Sequence, residues 1–104
     1  MTRWKRAERR IAQLVGGRRV PVTGRRGQPD VGHPWLAVEV KTRERLPRWL
    51  VGALAQARGA ASSDQLPVAV LHERGMRYRD ALVVLRLGDF LDWFGDTIDG
   101  GGTE

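Results

Sequence analysis

Cysteine is absent from this 104-residue chain. That removes disulfides, thiolate zinc sites and cysteine nucleophiles together, and it fits a reducing interior. There are only two histidines, and the spacing of His33 and His72 supports no zinc site. No apolar run approaches the ~18 residues of a membrane-spanning helix. The first six residues lack the apolar stretch of a secretory signal, so the expected location is cytoplasmic. The length sets the expectation of one small domain over residues 1–95, with residues 96–104 as a disordered tail.

What is present in excess is positive charge, and it is unevenly placed. Residues 1–27 carry nine Lys or Arg against Glu8 alone, a net +8, whereas residues 28–104 carry nine against eleven acidic groups, a net −2. A basic amino-terminal quarter on a near-neutral body points to a polyanion, most simply nucleic acid. Sixteen of the 18 basic residues are Arg, which suits bidentate phosphate contacts. GC-rich coding bias also enriches Arg, but it does not explain the clustering. Lys5, Arg6, Arg9, Arg10, Arg18, Arg19, Arg25 and Arg26 are the candidate phosphate contacts, with Arg74, Arg77 and Arg79 as a second set or a solvated loop.

Periodicity predicts a helix over residues 3–15, with Trp4, Ala7, Ile11, Leu14 and Val15 in one stripe and Glu8 on its shoulder. Gly16-Gly17 stops it. Residues 18–22 read as a strand, 23–28 as a basic loop, and 29–32 as a second short strand. His33-Pro34 turns the chain into a third strand over 35–41. Leu46-Pro47 introduces a helix to about Ala60, with Leu46, Trp49, Leu50, Ala53, Leu54, Ala57 and Ala61 on its apolar face. Residues 68–71 and 80–87 supply two further strands, and 88–94 a last amphipathic helix. The order α-β-β-β-α-β-β-α predicts an α/β sandwich around a mixed sheet.

Candidate chemistry centres on Glu39-Val40-Lys41. Side chains two apart on a strand share a face, about 6.6 Å apart, so Glu39 and Lys41 project together. Asp30 approaches from an adjacent strand. Hydrolysing a phosphodiester needs an activated water and neutralisation of charge on the phosphoryl oxygens. Mg²⁺ supplies both and prefers carboxylate oxygens, backbone carbonyls and water. Asp30 and Glu39 are the natural ligands, the Val40 carbonyl a third, and Glu8 a ligand for a second ion or an orienter of water. The Lys41 ammonium holds the attacking water or stabilises transition-state charge. Three carboxylates together repel one another unless a cation is present.

These elements, Glu8 on a basic first helix, Thr23-Gly24 in a basic loop, Pro29-Asp30, and Glu39-Val40-Lys41 leading into a helix, run in the order found in the PD-(D/E)XK nuclease superfamily. The chain resembles its archaeal-type Holliday junction resolvases and their phage relatives over residues 3–94 in element order, with motif identity at these few positions. The resemblance implies a restriction-endonuclease-like mixed central sheet flanked by helices. It also implies Mg²⁺ (with Mn²⁺ substituting) on the acidic residues, a catalytic Lys41, and a two-fold homodimer that places paired nicks in four-way DNA. A loop hydroxyl assists in archaeal members, and Thr23 stands where serine is more usual. Ala55-Gln56-Ala57 and His72-Glu73-Arg74-Gly75 look more like phage resolvase-like or VRR-type nucleases, so the implied setting is a bacterial or phage-infected cell.

Simpler readings stand beside these. Glu-x-Lys triplets are common on solvent faces, and Glu8 has arginine neighbours for a salt bridge. Gln56 either lines the site or caps sheet-edge groups. His72 either sits near the scissile phosphate or, more simply, is an ordinary strand-end residue, and His33 suits a turn. Trp4, Trp49 and Trp93 fall on apolar faces as core or interface, while Trp35 shares the parity of Glu39 and Lys41. The rivals to a junction resolvase are a flap, nicking or restriction-like nuclease and a non-catalytic nucleic-acid-binding module on the same fold.

Overall fold

The computed structural model of the chain describes residues 3–16, 18–19 and 30–98, with side chains placed for 5–16 and 30–95. The described elements are α1 (Arg3–Val15), β1 (Arg18–Arg19), β2 (Val31–Gly32), α2 (Arg48–Ala60), β3 (Ala69–Leu71), a 3-10 turn (Tyr78–Asp80), β4 (Leu82–Val84) and α3 (Leu87–Ile98). The protein is thus a small α/β chain with three helices among the described residues. No helix among these residues is long and apolar enough to cross a membrane. The chain divides into two compact units, Met1–Glu44 with Phe94–Glu104, and Arg45–Trp93.

In the first unit α1 packs on the β1–β2 hairpin. The helix ends because Gly16 takes φ 77°, a left-handed conformation that glycine adopts without Cβ strain, and its N–H reaches Gln13 O. The hairpin is antiparallel, with Arg18 opposite Gly32 and Arg19 opposite Val31. The core is Ala12, Val15 and Val31, the last fully enclosed at 0% exposure. The buried line of α1 is therefore Glu8, Ala12 and Val15, spaced i, i+4, i+7. This corrects the expected stripe: Leu14 is exposed, and Glu8 lies in the buried line rather than on its shoulder.

The expected third strand over 35–41 contributes one antiparallel bridge, Val38 to Val31, and no ladder. His33 is a turn residue: its Nδ1 accepts the N–H groups of Trp35 and Leu36 at 3.3 and 3.2 Å. Residues 20–29, which include the rest of the first strand and the basic loop, lie outside the described residues.

In the second unit α2 begins after Pro47, whose carbonyl accepts the N–H groups of Leu50 and Val51. The missing proline N–H costs nothing at that position. Leu54 and Ala69 form the buried centre, where α2 packs on β3. β3 and β4 pair antiparallel, with Ala69 opposite Val84 and Val70 opposite Val83. All ladders among the described residues are antiparallel and two-stranded. Arg58, in the last turn of α2, bonds Asp89, in the first turn of α3, at 3.0 Å. Each charge also sits at the helix end whose dipole favours it.

β3 covers only one stripe of α2. Leu46 and Trp49, expected on the apolar face, are 55% and 64% exposed, so within this unit they are not core. Trp93 is likewise half exposed at 50%. The side chain of Trp4 lies outside the described residues. The last helix runs through Ile98, three residues into the segment expected to be a disordered tail.

Truncating Val31 removes two buried methyl groups, so Val31→Ala should cost about 2 kcal/mol, whereas Trp49→Ala should stay within about 0.5 kcal/mol. Urea unfolding followed by circular dichroism checks both. A larger cost at Trp49 would place it in a buried interface.

Candidate functional site

Asp30 immediately precedes Val31, so the strand pleat sends its side chain away from the core face that Val31 occupies. The carboxylate finds a backbone partner there: Asp30 Oδ2 accepts the Val40 N–H, while the Asp30 N–H donates to Val38 O at 2.8 Å. The sequence-distant Pro29-Asp30 and Glu39-Val40-Lys41 motifs are thus joined by hydrogen bonds. Asp30 Oδ1 accepts no bond from the described residues.

Cross-strand partners in an antiparallel pair share a face. With Val31 opposite Val38, the next residues along, Asp30 and Glu39, are neighbours on the outer face. Lys41 joins them as the period of two predicts, its Nζ 3.5 Å from Glu39 Oε2. Both side chains are well exposed, 66% for Lys41 and 57% for Glu39, so this ion pair contributes little to stability. Trp35, of the same parity, is half exposed and sits edge-on to His33.

Glu8 does not join them. Among the described residues no three Asp, Glu or His side chains are grouped to hold a metal ion. The reason is geometric. Glu8 lies in the buried line of α1 with Ala12 and Val15, on the side of the hairpin that Val31 faces, whereas Asp30 and Glu39 take the opposite face. Among the described residues Glu8 is the one buried charged side chain, at 9% exposure, and burying a carboxylate is costly without compensation.

The donors that are together do suit a hard divalent ion: an unengaged Asp30 oxygen, the neighbouring Glu39 carboxylate, and the main chain at Val40, all oxygen ligands. Thr23 lies outside the described residues. Gln56 is exposed on α2 in the second unit, two residues beyond Leu54 and so turned to the far side of that helix.

Of the candidate phosphate contacts, Lys5, Arg6, Arg9 and Arg10 are all exposed and fall within about 140° of arc on α1. Lys5 and Arg6 occupy the amino-terminal half of a helix with no acidic residue in its first turn. That placement opposes the helix dipole, each such charge costing about 0.3–1 kcal/mol, and it concentrates positive potential where an anion would gain from both. Arg18 and Arg19 place their backbone on β1, with side chains outside the described residues, as are Arg25 and Arg26. Arg74 and Arg77 are exposed in the β3–β4 connection, where Arg77 pairs with Asp80 at 2.9 Å.

One feature of that connection joins His72, which the sequence marks, to Tyr78, which it does not. His72 and Tyr78 stack, with ring centroids 4.6 Å apart and planes 20° from parallel. The interleaved Arg77-Tyr78-Arg79 was the signal available.

Compared with known proteins, the chain matches no family model, no curated protein and no solved structure.

The Asp30–Val40 bond separates structural from chemical roles. Asp30→Asn keeps an oxygen for the Val40 N–H and should leave stability nearly unchanged, while Asp30→Ala strands that donor and should cost about 1–3 kcal/mol. Parallel urea titrations decide it. Equal stability of the alanine variant would mean that the bond does not hold the motifs together.

Proposed function

We propose that this protein is a divalent-metal-dependent DNA endonuclease on a restriction-endonuclease-like plan, with four-way junctions as substrate and a homodimer as the working form. The observation that carries the reading is the docking of the Asp30 carboxylate on the backbone of Glu39-Val40-Lys41. Two motifs whose order resembles the PD-(D/E)XK pattern are also neighbours in space. A purely phosphate-binding surface gains nothing from two carboxylates facing a polyanion.

In this reading Asp30 Oδ1, Glu39 and the Val40 carbonyl hold Mg²⁺ or Mn²⁺, whose part is to activate water and neutralise charge on the phosphodiester. Lys41, held by its ion pair to Glu39, lends an ammonium to the charge that develops on the phosphoryl oxygens. The Glu39 carboxylate keeps that ammonium close before substrate arrives. Lys5, Arg6, Arg9 and Arg10 stand exposed on α1. Those side chains and the 18–26 segment grip phosphates without reading sequence, so selectivity rests on DNA shape. A two-fold dimer supplies two equivalent centres for paired nicks, and the Phe90-Leu91-Trp93-Phe94 stretch of α3, with Trp93 and Phe94 exposed, is its proposed interface.

A second reading is a nucleic-acid-binding module without catalysis, which the exposed basic side chains of α1 support equally. Cleavage of synthetic four-way, flap, nicked and linear DNA in Mg²⁺ separates the two. Wild type should cut the four-way junction in symmetric pairs, and Asp30→Asn and Glu39→Gln should each lose about 100-fold or more in rate. Glu39→Gln should keep or tighten binding, because a negative charge facing DNA is removed. Junction binding without cleavage in any divalent ion would leave the module reading, and equal cutting of linear duplex would exclude resolution.

Replacing Arg25 and Arg26 by Ala should lower the slope of log affinity against log salt by about 1.8. An unchanged slope in a salt titration would remove that loop from the footprint.

A further inference from the structure

The loop between β3 and β4 presents a flat aromatic surface for which the nuclease reading has no use. Tyr78 is 84% exposed, although one face of its ring rests on His72; the other face is therefore open to solvent. The support beneath it is fixed. His72 Nε2 donates to Met76 O at 2.8 Å, which selects the Nε2–H form because a carbonyl only accepts. The Met76 N–H in turn bonds Glu73 O at 2.9 Å, closing a tight turn with Gly75 at φ 92°. The imidazole is thus anchored at its edge, and the phenol lies on it.

The same loop carries three arginines, Arg74, Arg77 and Arg79. Arg77 is paired with Asp80, but Arg74 and Arg79 make no ion pair or hydrogen bond among the described residues. Arg79 follows Tyr78 directly and Arg74 lies four residues before it; both are exposed. A tyrosine needed only to close the turn would be packed, and its neighbours would not need to be cationic. An open ring face in the same loop as unpaired guanidinium groups is the chemistry that receives unpaired nucleotides: every base offers a π-face, and each carries a phosphate.

We propose that the β3–β4 loop binds single-stranded nucleic acid, an unpaired base stacking on the outer face of Tyr78 while Arg74 and Arg79 hold the adjoining phosphates. The site belongs to the second unit and uses none of the residues assigned to cleavage. It therefore stands or falls separately from the nuclease reading.

The test is fluorescence anisotropy of the full chain in metal-free buffer with EDTA, so that cleavage cannot contribute. Probes are a labelled oligothymidylate of about 12 nucleotides, an oligouridylate and an abasic strand of the same length, and a duplex. Tyr78→Ala should weaken both oligonucleotides about 5- to 150-fold, the range for losing one stacked base. Tyr78→Phe should bind as wild type, and wild type should bind the abasic strand about as weakly as Tyr78→Ala binds oligothymidylate. Duplex affinity should be the same for wild type and Tyr78→Ala. Arg74→Ala and Arg79→Ala should each lower the salt slope for single strands by about 0.7. A difference between the oligothymidylate and oligouridylate arms would show which of the two strands the site prefers and support the site equally. Three results would each overturn the proposal: oligothymidylate affinity unchanged in Tyr78→Ala, abasic and base-bearing strands bound alike by wild type, or a duplex affinity that falls in step with that of the single strands.

Discussion

One hydrogen bond, from the Val40 N–H to the Asp30 carboxylate, replaces what a continuous strand ladder would otherwise provide. The chain around residues 38–41 has a single antiparallel bridge to β2, too little pairing to fix its register by backbone alone. Asp30 supplies a further rung with its side chain. Because the next residues on either side of that rung are Glu39 and Lys41, the same bond sets where the carboxylate and the ammonium stand. The local fold and the proposed chemistry therefore share a dependency, and the residue with the greatest functional interest is also a structural tie.

Much of the secondary structure is legible because it is written in strong local signals. The α1 boundaries follow from the run of helix formers ended by Gly16, and α2 starts where Pro47 allows it to start. The positions of β3 and β4 follow from short continuous apolar runs. What sequence does not reveal is how wide the partner of each face is. Trp49 lies on a face that periodicity marks as apolar, yet a two-stranded hairpin reaches only the line through Leu54. Glu8 shows the same limit from the other side: a charge is expected at the margin of a buried stripe, and the helix rotates so that small Ala12 and Val15 pack on Val31, carrying Glu8 inward. Sequence spacing foretold that Glu39 and Lys41 share a face, because a period of two is local. The neighbourhood of Asp30 and Val40 was legible only through motif order. That Glu8 stays apart was not legible, since it depends on which side of the hairpin α1 covers.

The two units have thin interiors. Only Ala12, Val15 and Val31 in one and Leu54 and Ala69 in the other are buried apolar residues among those described. Two-stranded hairpins are marginal without a helix to cover them, and here each is covered on one side. The paired Val70 and Val83 are 61% and 60% exposed. Segments with so few enclosed contacts open at low free-energy cost.

Gly75 gives the β3–β4 loop an unusual economy. A methyl group built there meets no atom within 4 Å, so space does not demand glycine; the backbone torsion does, at a cost of about 1–2 kcal/mol for any other residue. Distorting that single torsion would displace the Met76 carbonyl, release the imidazole edge and let the phenol tilt. The orientation of an aromatic plate is thereby governed three residues away by a position that has no side chain, and variation in the plate itself is free of that control.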